Sequence, residues 1–144
     1  MNNNLISGKF VNNNSEVIDA STITAPVVCI YFSAHWCPPC RAFTPKLAKF
    51  YNEWNSTEKQ IEIIFVSSDR DEKSWKEYFA VMPWLAVPFG NTKIADLAKS
   101  CGVKYIPMLC VIGRDGKVLL EDGRSTVEDQ GENAINIWKE LYQN

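Results

Sequence analysis

Apolar positions along the chain fall into runs of different period, and the periods give the elements. Val27-Val28-Cys29-Ile30-Tyr31-Phe32 and Ile61 to Val66 are short, rich in β-branched and aromatic residues and without regular polar alternation. That is the pattern of central strands covered on both faces. Phe43, Leu47, Phe50, Tyr51 and Trp54 instead recur at i, i+4, i+7, i+8 and i+11, which predicts an amphipathic helix of about four turns. Pro45 falls inside it, where a kink is expected. Trp75, Tyr78, Phe79 and Met82 predict a second helix, stopped by Pro83. From Pro83 to Phe89 the chain is apolar yet broken by Pro83 and Pro88, so a packed loop is expected rather than a regular element. Ile94, Leu97 and Ala98 mark a short helix ending near Gly102.

The two ends complete the order. Phe10-Val11 and Val17-Ile18 flank the turn-rich Asn12-Asn13-Asn14-Ser15, which predicts an N-terminal β-hairpin; Met1 to Asn4 reads as a frayed tail. Met108 to Ile112 and Lys117 to Leu120, joined by Gly113-Arg114-Asp115-Gly116, predict a second hairpin. A last helix is expected from about Glu132, with Ile135, Trp138, Leu141 and Tyr142 on one face. Strands separated by helices, then a hairpin and a closing helix, predict an α/β fold: a central mixed sheet with helices on both faces. At 144 residues, without internal repeat or linker, the chain reads as one domain over 1–144.

Composition narrows the function classes. Hydrophobic residues at 46% and charged residues at 22% are those of an ordinary globular protein, which sets disorder aside. A net charge of −2 with scattered basic residues offers no footprint for nucleic acid or an anionic membrane. No apolar run approaches the ~20 residues that span a bilayer. The first residues lack the charged and apolar regions of a secretory signal. Five cysteines, odd in number and irregular in spacing, do not resemble a secreted disulfide framework; a reducing compartment is the simpler expectation.

One stretch carries chemistry. Trp36-Cys37-Pro38-Pro39-Cys40-Arg41 ends the first apolar strand and opens the long helix. Thiols three apart in a first turn share a face, with Cβ atoms about 5–6 Å apart in regular geometry. A disulfide needs about 3.8 Å, a gap a tightened turn can close. Cys37 at the helix N-terminus meets unpaired N–H groups and the positive end of the macrodipole, which favour the thiolate that attacks disulfides. A zinc site would need a second pair, and Cys101, Cys110 and His35 have no matching spacing. Pro38 and Pro39 suit a first turn, where a missing N–H costs little. They also leave fewer donors for the Cys37 sulfur. Cys37 is therefore expected to be only moderately acidified, and the pair a reductant rather than an oxidant. Cys29 and Cys110 read as inert core residues, and Cys101 as core before accessible regulatory thiol. His35, the single histidine, reads either as a neighbour that tunes the site or as simply solvated, and not as a general base.

These residues, followed by Phe43-Thr44-Pro45, resemble the nucleoredoxin/tryparedoxin branch of thioredoxin-fold proteins. Phe65-Val66-Ser67-Ser68-Asp69-Arg70, Tyr78 through Phe89, and Gly102 through Ile106-Pro107 extend the resemblance from about Leu5 to Trp138. It implies a thioredoxin-like fold and a thiol-disulfide oxidoreductase that uses no cofactor. Cys37 matches the nucleophile and Cys40 the resolving thiol. Ile106-Pro107 matches a cis-proline beside the disulfide that offers backbone to a bound peptide. Trp36, Pro38 and Pro39 match the rim around the nucleophile, although Trp36 reads equally as core packing; Arg124, which by itself reads as an isolated solvated surface arginine, matches an arginine near the thiol substrate. Tyr31 stands where ordinary thioredoxins keep a buried aspartate. Ser68 and Arg70 stand where tryparedoxins carry a tryptophan and an acidic residue, so the chain looks closer to nucleoredoxin. Implied partners are disulfide-containing proteins and an external thiol or reductase as electron donor; implied locations are the cytoplasm and the nucleus. A redox-sensitive binding protein with little turnover is the second reading, on the same apolar rim.

Overall fold

The computed structural model describes residues 5–143; the tail expected over Met1 to Asn4 lies outside them. Seven strands form one sheet: β1 (Lys9–Val11), β2 (Val17–Asp19), β3 (Val27–Ser33), β4 (Ile61–Ser67), β5 (Leu85–Ala86), β6 (Met108–Ile112) and β7 (Val118–Leu120), in the order β2-β1-β5-β4-β3-β6-β7. β3 pairs parallel with β4, and β4 with β5; the remaining pairs are antiparallel. The sheet is therefore mixed, as expected.

The absence of polar alternation in the central strands has its reason in two cores. Val27, Cys29, Tyr31, Ile61, Ile63, Phe65, Leu109 and Val111 point to one face, while Ile30, Phe32, Ile64, Val66, Cys110 and Ile112 point to the other. Side chains alternate across a strand, so both faces must be covered. The first face carries α1 (Pro38–Trp54), α2 (Glu72–Phe79), α4 (Gly123–Gln130) and α5 (Ala134–Leu141); α3 (Lys93–Ser100) covers the second. Among the described residues no helix is long and apolar enough to cross a membrane.

Four expectations are corrected. Leu85–Ala86 is a short strand, pairing with β4 on one side and with Val11 on the other; Pro83 and Pro88 limit its length but do not prevent it. α2 ends at Phe79 rather than reaching Met82: past it the Val81 and Met82 N–H groups turn to the carbonyls three residues back, Tyr78 and Phe79. Asn13 of the hairpin turn donates its carboxamide to the carbonyls of Phe79 and Met82 and ties that turn to the hairpin. Gly123–Gln130 is a helix where none was expected: its only buried side chain is Val127, too little for a periodic signal. The closing helix begins at Ala134, after a 3-10 turn at Gly131–Asn133.

α4 packs closely on β6. A Cβ at Gly123 would lie 2.9 Å from the Leu109 carbonyl oxygen and 3.4 Å from the Trp138 ring. Gly123→Ala is expected to cost about 1–3 kcal/mol, measured as a lower urea midpoint.

Candidate active site

The parallel pair positions the site. β3 ends at Ser33, and the chain turns through Ala34 and His35 before α1 begins. Cys37 is the N-cap of α1 in an extended conformation, and its Sγ accepts the Cys40 N–H at 3.3 Å. Pro38 and Pro39 occupy the first helical positions. Cys37 and Cys40 lie at disulfide distance, their Cα atoms 5.2 Å apart. Cys37 is 5% exposed and Cys40 fully buried, so the outer sulfur is Cys37. The helix continues through Pro45.

Ile106 and Pro107 come to the same place from the loop before β6. Their peptide bond is cis, and the Ile106 carbonyl oxygen lies 4.0 Å from the Cys37 sulfur. Arg124, on the first turn of α4, donates from Nη1 to the Pro107 carbonyl at 3.4 Å, pairs through Nε with Glu128 at 3.3 Å, and stands 6.0 Å from the Phe43 ring centroid. Arg124 is thus half-buried beside the proline loop rather than solvated. Trp36 is 52% exposed, a rim residue rather than core packing. Its Nε1 donates to the Ser68 carbonyl at 3.2 Å, and the Arg70 guanidinium sits 5.8 Å from its ring centroid.

Beneath the first turn of α1 lies a hydroxyl network that sequence reasoning did not assemble. Tyr31 and Thr44 are 2.7 Å apart, Thr44 and Tyr78 2.6 Å, and Tyr78 and Ser33 2.5 Å; Thr44 also donates to the Cys40 carbonyl at 3.0 Å. Thr44 lies one turn after Cys40, a spacing that placed it on the right face but gave no sign of the tyrosines. Burial is the main force holding Tyr31 un-ionised and pushes its phenol well above the ordinary range. Tyr51 is shifted the same way by burial and then by Glu62. Both folded values exceed the unfolded one near 10, so their contribution is intact below about pH 10 and is lost as pH rises. The unfolding free energy from denaturant titration is expected to fall above that pH by about 1.4 kcal/mol per pH unit for each tyrosine. Tyr31→Phe and Tyr51→Phe should flatten the fall.

The other thiols are set apart. Cys29, Cys101 and Cys110 are all buried. Burial raises the Cys29 thiol out of the reactive range, and the hydrogen bond with Cys101, followed by burial, does so for Cys110. Cys101 is 1% exposed, which excludes the accessible reading of it.

Comparison with known proteins agrees with this arrangement. A thioredoxin-like family model matches residues 26–118. Probable nucleoredoxin 1 of Arabidopsis thaliana is 45% identical over 120 residues, covering 83% of this chain and 21% of that protein. Nucleoredoxin of Mus musculus is 41% identical over 124 residues, covering 85% and 28%. The chain thus spans about a quarter of the length of these curated relatives. Among solved structures, native tryparedoxin I from Crithidia fasciculata superposes with a TM-score of 0.79 at 36% identity, covering 86% of each chain. The chain belongs to the thioredoxin-like family, on its nucleoredoxin/tryparedoxin branch.

Proposed function

We propose that this thioredoxin-like domain is a protein-disulfide reductase. The observation that carries the reading is the asymmetry of the pair: Cys37 reaches the surface at a helix N-terminus while Cys40 is fully buried behind it. The Cys37 thiolate attacks one sulfur of a substrate disulfide, and the other substrate sulfur leaves as a thiolate and takes a proton. Cys40, losing its own proton, attacks Cys37 in the mixed disulfide; the second substrate thiolate leaves, and Cys37–Cys40 remains oxidised. The substrate gains two electrons and the pair loses them. An external thiol or reductase returns the pair to the dithiol.

Trp36, Pro38 and Pro39 form the rim that meets the substrate, and Ile106 and Pro107 offer it backbone. The Ile106 carbonyl at 4.0 Å from Cys37 favours that use, and the Arg124 contact with Pro107 keeps the loop in place. The cytoplasm and nucleus are the compartments that suit a dithiol kept reduced. The test is turnover of a protein disulfide with dithiothreitol as donor: catalysis above the donor alone supports a reductase. Exposed Trp36 and Tyr105, at 52% and 58%, favour a second reading, a redox-sensitive binder. Complex formation that depends on redox state, without turnover, would establish it instead.

A further inference from the structure

β3 and β4 run parallel and end level, with Ser33 opposite Ser67, so the chain heading for Cys37 and the chain heading for α2 emerge side by side. Four contacts join them. The Ser68 N–H donates to the Ser33 carbonyl at 3.0 Å, the His35 N–H to Asp69 Oδ1 at 2.8 Å, and Trp36 Nε1 to the Ser68 carbonyl, while Arg70 covers the Trp36 ring. Asp69 stands out among these residues as a carboxylate only 9% exposed. Its Oδ2 accepts the Ser67 hydroxyl at 2.7 Å, and the oxygen of that hydroxyl accepts the Asp69 N–H at 2.8 Å. Each carboxylate oxygen holds a donor, the acceptor-only pattern of an ionised group. A buried anion is stable only when donors hold it in this way.

We propose that Asp69 is a positioning residue of the dithiol: through the His35 N–H it fixes the loop that delivers Cys37 to the start of α1, and its charge opposes that of the Cys37 thiolate. The inference rests on Cys37 being the nucleophile. At that sulfur the helix N-terminus and the Cys40 N–H favour the anion, and the buried Asp69 carboxylate, held by the N–H of His35 two residues before Cys37, disfavours it. The other charged or titratable groups near the two loops include His35, Arg41, Arg70, Asp71, Lys73 and Glu77, Arg124 beside the Pro107 carbonyl and, from beneath, Tyr31 and Tyr78. Arg41, Arg70, Asp71, Lys73 and Glu77 are exposed and screened by solvent, and Arg124 is paired with Glu128. Asp71 is further occupied in capping α2 through the Ser74 N–H and hydroxyl. Tyr78 is bonded to Ser33 and Thr44, and Tyr31 is held un-ionised. Asp69 is the buried carboxylate of the set, bonded to the backbone two residues before Cys37, where a charge is screened less than at the exposed positions.

The test is the pH dependence of Cys37 alkylation in Asp69→Asn and Asp69→Ala, each in a Cys40→Ser background, with disulfide-reduction rates measured alongside in the two-cysteine protein. Asparagine keeps an oxygen for the His35 N–H and removes the charge. The alkylation midpoint is expected to fall by about one pH unit, roughly tenfold more thiolate below it. Alanine is expected to lower the reduction rate about tenfold, with asparagine restoring it to within about threefold of the parent. An unmoved midpoint in Asp69→Asn, or a parental reduction rate in a folded Asp69→Ala, would overturn the proposal. Should alanine prevent folding, which near-ultraviolet circular dichroism reports, the near-isosteric asparagine carries the test alone. Alkylation reads Cys37 whether or not the protein turns over substrate. A parent that reduces no disulfide sinks the reductase reading while the asparagine shift still decides the role of Asp69. A parent midpoint near about 3.5, the oxidant end of the range, would remove the reductant assignment.

Discussion

Cys37→Ser is expected to bring protein-disulfide reduction down to the uncatalysed background, a loss on the order of a thousandfold or more, because a serine hydroxyl is not ionised near neutral pH and does not attack a disulfide sulfur. Cys40→Ser should behave differently. The first attack remains possible and the second does not, so the protein is expected to accumulate as a mixed disulfide with its substrate, seen as a heavier species by mass spectrometry and released by dithiothreitol. The two outcomes test in solution the roles that the asymmetry of the pair supports, Cys37 at 5% exposure and Cys40 fully buried. Parental turnover by Cys37→Ser would end the assignment of the nucleophile.

The second large effect lies in the core. Trp84 is 1% exposed and its ring meets Tyr31 at 5.8 Å and Tyr51 at 5.6 Å between centroids, both edge to face. Trp84→Ala removes that packing and leaves a cavity, and is expected to cost about 3–5 kcal/mol. For a chain of this size the thermal midpoint should then fall by roughly 6–20 °C. The indole Nε1 has no hydrogen-bond partner, so Trp84→Phe forfeits no polar contact and should cost less than half as much. A phenylalanine variant as unstable as the alanine one would show that the ring contacts are not what Trp84 contributes. Thermal unfolding followed by circular dichroism distinguishes them.

The parts legible in the sequence are those where a period or a local motif carries the information. The two central strands were readable because burial on both faces leaves an unbroken apolar run. The dithiol was readable because Cys-Pro-Pro-Cys sits where strand pattern gives way to helix pattern. α4 was not, for a physical reason: Gly-Arg-Ser-Thr-Val-Glu-Asp-Gln buries a single side chain, Val127, and is held instead by its capping Asp122 and by contact of Gly123 with β6. An Asp followed three residues later by Ser125 was the one available signal of that helix start. Arg124 consequently looked isolated, although a helix spaces it correctly for Glu128. The hydroxyl network and Asp69 were invisible for another reason. Tyr31, Thr44, Tyr78 and Ser33 come from three separate elements, and Asp69 meets His35 across 34 residues of chain. Such meetings follow from strand register, which no single stretch encodes.

That register also dictates where the chain can change length. With Ser33 level with Ser67 and four contacts spanning the two loops, an inserted or deleted residue between Ser33 and Cys37, or between Ser67 and Asp71, would carry its neighbours out of reach and turn the dithiol away from the Ile106 carbonyl. The exposed residues Asn13 to Ser15, at the far hairpin turn, and Ser56 to Lys59, between α1 and β4, carry no such coupling to the dithiol. Affinity tags, reporter insertions and circular breaks belong at exposed Ser56 to Glu58 of the latter stretch, between the ends that Asn55 joins through Gln60 and Ile61, where the spacing that sets the chemistry is left alone.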